Sequence, residues 1–126
     1  MKILIIENTW MFKDLSQELK DRFSFMEFGW GNGYVLIPRG HVLHGKHYDE
    51  INSVAVVHGG LTFSRMVDGS NYKFYGLSKR HLGKWMVGFD TCHYGDNPKN
   101  CSRGNLLQQT YLLKEQLIKF EKQCHI

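Results

Sequence analysis

One stretch constrains the fold more than any other: NLLQQTYLLKEQLIKFEKQ, from Asn105 to Gln123. Leu106, Leu107, Leu113, Leu117 and Phe120 fall on one face of a helix running from Leu106 to about Gln123. Asn105 is placed to cap it, Glu115 and Lys119 form a favourable four-residue pair, and the lysines gather toward the carboxyl end, where the helix dipole favours them. Such a helix must lay its apolar face on something. The rest of the chain offers mainly short β-branched runs.

Lys2 to Glu7, Tyr34 to Pro38, Ile51 to Val57, Leu61 to Val67, Tyr72 to Tyr75 and Lys84 to Asp90 read as strands. Asp68-Gly69 is a hairpin signal that pairs Leu61–Val67 with Tyr72–Tyr75. A second helix is expected over residues 11 to 23, where Met11, Phe12, Leu15, Leu19 and Phe23 share a face. The glycines of FSFMEFGWGNG read as turn residues before the Tyr34 strand. The expected architecture is therefore α+β, a mostly antiparallel or mixed sheet of about five strands packed with two main helices. At 126 residues this is one globular domain, 1–126, with no repeat and no linker.

The amino end lacks a signal-peptide core, and no run approaches a membrane span, so no membrane association is expected and the protein should stay in the cytoplasm where it is made. Cys92, Cys101 and Cys124 fit neither a metal knuckle nor a disulfide framework and read as cytosolic thiols. The net charge of +4 is concentrated in residues 31 to 104, which hold nine Lys or Arg against five acids. Anionic partners suit that surplus better than cationic ones.

Chemistry is concentrated in three stretches. In VHGGLTFS, His58 follows an apolar run and precedes Gly59 and Gly60, which permit a tight turn and a close ligand approach. The alternative is a bulge carrying a solvated histidine. In GFDTCHYGD, Asp90, His93 and Asp96 stand three residues apart after an apolar strand, an arrangement that serves metal and phosphoester sites and equally serves an Asx-turn. In GHVLHGKHYDEI, His41, His44 and His47 would lie near one face of a helical turn, with Lys46 available as a point charge for phosphate and Tyr48 beside it. Solvent-facing histidines are the plainer reading. Rings and cations interleave from Tyr72 to Trp85, as in single-strand binders or as in an ordinary core strand. Phosphate-loop, dinucleotide-fingerprint and nucleophile-elbow motifs are absent from the sequence.

These stretches, in the order GYVLIPRGHVLHGKHYDEI, VHGGLTFS, WMVGFDTCHYGDNP and a final helix, resemble a family of small proteins of unassigned function encoded by phages and prophages. The family pattern runs approximately GYV, GHxLxGKxY, HGGLT and GFDxxHxGD, and the match spans about residues 33 to 120. The resemblance implies a site at the motif positions His41, Lys46, Tyr48, His58, Gly59, Gly60, Thr62, Asp90, His93 and Asp96. It also implies a setting, the host cytoplasm and action against host defence.

Three readings follow. In the first, a His-, Asp- and Gly-lined hollow binds an anionic nucleotide-like small molecule such as an immune signal. In the second, His58, Asp90, His93 and Asp96 hold a divalent metal and hydrolyse the phosphoester of such a nucleotide. In the third, the basic and aromatic middle inhibits a host nuclease or CRISPR effector, acting on protein or RNA. A homo-oligomer is compatible with all three.

Overall fold

The computed structural model describes residues 1–7, 18, 29–91 and 99–124. Four strands form one antiparallel sheet: β1 (Lys2–Glu7), β2 (Gly31–Ile37), β3 (Phe63–Met66) and β4 (Trp85–Phe89), in the order β1-β2-β4-β3. A short helix α1 (Tyr48–Ile51) follows β2, and a long one, α2 (Arg103–Cys124), ends the described chain. The α+β class is as expected, with four strands rather than five among the described residues. The helix expected over residues 11 to 23 lies outside the described residues, apart from Glu18.

Alternation along the central strands sends side chains to both faces, and both are covered. Val35 and Ile37 of β2 and Val87 and Phe89 of β4 face a core completed by Leu106, Leu113 and Leu117 of α2 and by Ile51, Ala55, Val57 and Leu61. Tyr34, Leu36 and Met86 face a second core with Val67, Tyr75 and Leu77. Each fully buried leucine of α2 contributes about 1.5–3 kcal/mol. The helix begins earlier than Leu106 because Ser102, not Asn105, caps it: the Asn105 N–H donates to Ser102 Oγ at 3.2 Å and the Leu106 N–H to the Ser102 carbonyl at 2.9 Å.

Gly31 and Gly33, expected in a turn, are inside β2. A Cβ on Gly31 would strike the Ile6 carbonyl of β1, and one on Gly33 would strike Thr110 of α2 and the Phe89 ring. These glycines are there to let a strand and a helix approach closely, so the strand starts three residues before the expected Tyr34.

Two expected strands are absent. Ile51 ends α1, residues 52 to 54 are turns, and 55 to 57 run without a strand partner. Side-chain amides take the partner's place. Gln116 accepts from the Val56 N–H at 2.7 Å and donates to the Val56 carbonyl at 2.8 Å; Asn52 accepts from the Leu61 N–H at 2.7 Å and donates to the Leu61 carbonyl at 3.0 Å. The segment Tyr72–Tyr75 is likewise a run of turns. Asp68 closes an Asx-turn on the Ser70 N–H at 2.8 Å, and Asn71 accepts from the Asp68 N–H at 3.0 Å while donating to the Met66 carbonyl at 2.9 Å. β3 therefore pairs with β4, in the register Phe63 to Gly88 and Met66 to Trp85.

Candidate functional site

β4 carries Phe89 into the core and delivers Asp90 and Thr91 at the sheet's end. Thr91 is buried. Its hydroxyl donates to the Gly31 carbonyl at 2.6 Å and its own carbonyl accepts from the Gly29 N–H at 2.7 Å, while the Trp30 N–H donates to the Cys101 carbonyl at 2.8 Å. Three separate segments are thus stitched together where α2 begins. Gly29 makes this possible, since a Cβ there would overlap the side chains of Thr91 and Cys101.

The HGGLT segment is fitted against this junction. The Gly60 N–H donates to the Val57 carbonyl at 2.9 Å, closing a turn that places His58 and Gly59 at its tip. Gly59 and Gly60 have φ of 69° and 80°, a region that penalises a side chain. The His58 N–H donates to Gln109 Oε1 at 3.3 Å, and its Nε2 stands 3.6 Å from Cys101 Sγ. Beyond the turn, Leu61 returns to the core and the Thr62 N–H joins the Gly88 carbonyl at 2.9 Å. The Thr62 hydroxyl then donates to Asp90 Oδ2 at 3.2 Å.

Two hollows result, with Phe89 in the wall of each. One, of about 230 Å³, is lined by His58, Thr91, Cys101, Asn105 and Gln109 among others. The second, of about 180 Å³, is lined by Thr62, Asp90, Asn32, Tyr34 and Phe63. Asn32 Oδ1 is buried and accepts no hydrogen bond among the described residues. The first hollow is rich in uncharged amides and holds an imidazole. The second pairs a carboxylate with aromatic rings.

The structure thus brings His58, Gly59, Gly60, Thr62 and Asp90 to one end of the sheet. His93 and Asp96 lie outside the described residues, as does Cys92. Among the described residues, no three His, Cys, Asp or Glu side chains converge as metal ligands would.

His41, Lys46 and Tyr48 belong to the turns after β2, and the three histidines of this stretch have separate tasks rather than a common face. His41 is buried: its Nδ1 accepts from the Leu43 N–H at 3.0 Å, which leaves Nε2 to donate to the Leu117 carbonyl at 3.0 Å. Glu121 accepts from the Val42 N–H at 2.7 Å, so this turn is fastened to the last turns of α2. His44 Nε2 donates to the Gly83 carbonyl at 2.7 Å, and His47 caps α1 by accepting from the Asp49 N–H at 3.2 Å. The Lys46 carbonyl accepts from the Trp85 indole at 2.7 Å, which places Lys46 at the opposite end of β4 from Asp90. The Tyr48 N–H donates to Ser64 Oγ at 3.1 Å.

The amides of the first hollow escaped sequence reading. Asn105 and Gln109 lie four residues apart on one side of α2, and that polar spacing beside the leucine stripe was the available signal. Comparison with protein-family models, with curated proteins and with solved structures found no match.

Proposed function

We propose that the protein binds an anionic, nucleotide-like small molecule at the Phe89 end of the sheet. The observation that carries this reading is the His58 turn. Two positive-φ glycines present an imidazole to a hollow whose other polar groups are uncharged: the Thr91 hydroxyl, the Cys101 thiol, the Asn100 amide and the amides of Asn105, Gln108 and Gln109 on the first turns of a 22-residue helix. An imidazole N–H suits a phosphate oxygen, and side-chain amides suit the edge of a base. In the neighbouring hollow, Asp90 accepts hydrogen bonds from hydroxyls, as it does from Thr62, and Tyr34 and Phe63 offer rings. Taken with the resemblance to phage-encoded proteins, the ligand is a host defence signal and the role is its sequestration.

The test is thermal shift and equilibrium dialysis against a panel of linear and cyclic nucleotides, followed by chromatography of ligand released by heat. Stabilisation by one nucleotide, its recovery intact, and loss of both effects in His58→Ala and Asp90→Ala are expected. A chemically altered nucleotide would replace sequestration by hydrolysis. A flat panel would remove the small-molecule reading.

A further inference from the structure

The other end of the sheet has a different character. The connections that meet there are the start of β1, the turn after β2 and the return into β4. Lys2 opens β1 opposite Leu36. Arg39 follows β2, and its guanidinium lies against Gly83, whose φ of 83° keeps that contact open for want of a Cβ. Lys46 is tied to the first residue of β4 through the Trp85 indole. Lys79 and Arg80 form the 3₁₀ turn Lys79–His81, and Lys84 immediately precedes β4, its carbonyl accepting from the Val67 N–H at 2.9 Å. All but the half-buried Lys84 are exposed. Acids stand on the same connections: Asp49 and Glu50 follow Lys46, with Asp49 set against His47, while Asp68 is turned onto Ser70 and Glu121 is engaged by the Val42 N–H.

We propose that this end is a binding surface for the phosphate backbone of nucleic acid, with Lys2, Arg39, Lys46, Lys79, Arg80 and Lys84 as its contacts. Six cations on three hydrogen-bonded connections make a fixed array of positive points, and a polyanion with evenly spaced charges is the partner that engages several at once. The contacts are charged side chains on turns, and the Trp85 ring among them is engaged by the Lys46 carbonyl and His44, so recognition is by charge and not by sequence. His81 lies beneath it. Burial first, and then Arg80, Lys84 and Lys2, hold its imidazole below the ordinary value, which marks the positive field from inside the fold. A bound polyanion would offset that field.

Fluorescence anisotropy of the whole protein with labelled single-stranded and duplex oligonucleotides of equal length tests the proposal, and the two probes show which form is preferred. Binding at low salt is expected, weakened about a hundredfold between 50 and 200 mM salt if about four phosphates are engaged. The triple change Lys46→Gln, Lys79→Gln, Arg80→Gln should weaken it at least tenfold and lower the slope of log K against log salt by about three. The pair Lys99→Gln, Arg103→Gln, at the far end, should leave it unchanged, as should His58→Ala, which separates this surface from the small-molecule hollow. In a ring-proton titration by NMR, the His81 midpoint should rise when oligonucleotide is added. Equal weakening by both sets of substitutions, no binding at low salt, or capture by anionic vesicles but not by oligonucleotide would overturn the proposal.

Discussion

The two ends of the sheet are built by opposite means. At the Phe89 end, segments from three parts of the chain are pressed together until only glycine fits at position 29, and the polar groups left facing the hollows are mostly neutral. At the Trp85 end the packing is uneven: the Arg39 guanidinium lies against Gly83, whereas Gly40 and Gly45 have open space around them and are needed only for their positive φ. Charge divides the ends more clearly, with Lys2, Arg39, Lys46, Lys79, Arg80 and Lys84 at the Trp85 end. Close packing fixes a few groups in a hollow, which suits a small ligand. Exposed turns at a sheet end present charge outward, which suits a large one.

The sharpest way to break this contrast is a pair of glycine substitutions. Gly29→Ala forces its new methyl group into Thr91 and Cys101 and should cost about 3 kcal/mol in urea unfolding, with loss of nucleotide binding. Gly40→Ala meets no neighbour and should cost about 1 kcal/mol, the penalty of a side chain at its φ of 90°. Equal losses would mean that the two ends are packed alike.

Next in size is the amide clamp behind the His58 turn. Asn52→Ala leaves the Leu61 N–H and carbonyl without their partner and should destabilise by about 2 kcal/mol. Denaturant titration reads the loss, and nucleotide affinity should fall in the same variant because the turn loses its anchor.

A smaller effect distinguishes the ends by pH. His81 has a lowered pKa in the fold, so the unfolded chain binds its proton first as pH falls below the ordinary 6.5. Its contribution to stability is complete above that value and is lost as pH drops from it toward the folded pKa. Stability of the native protein should therefore decline through this window more steeply than that of His81→Gln. The smallest effect belongs to Asp68, whose carboxylate is held below its ordinary 3.8 first by the Ser70 hydroxyl and then by the Ser70 N–H. Its sign is the reverse of a rising pKa: the contribution is present above 3.8 and disappears as acid protonates it. In thermal melts, Asp68→Asn should differ from the native protein only slightly at neutral pH and not at all in strong acid.

Much of the fold was legible where apolar spacing decides structure. β1 has the expected limits, β4 lies within its expected range, and α2 buries Leu106, Leu113 and Leu117 as its periodicity required. The failures have different causes. In Ile51–Val57 the distant Gln116 amide satisfies the Val56 backbone in place of a neighbouring strand, which no local propensity reports; in Tyr72–Tyr75 the turn that begins at Asp68 takes the backbone, the Tyr72 N–H donating to the Asp68 carbonyl and the Tyr75 N–H to that of Asn71. Gly31 and Gly33 misled for another reason, because a glycine that makes room looks in sequence like one that makes a turn. At the candidate site the order HGGLT and GFD was visible, whereas the contribution of Gln109 and Asn105 depends on how α2 is seated on the sheet.

The reliance on Asn52 has a further consequence for the life of the molecule. Hydrolysis of that one amide to a carboxylate would keep the acceptor for the Leu61 N–H but replace the donor with a negative charge against the Leu61 carbonyl. Chemical ageing at a single atom would then loosen the turn that carries His58 while the sheet stayed whole, so an old preparation would fold normally and bind poorly.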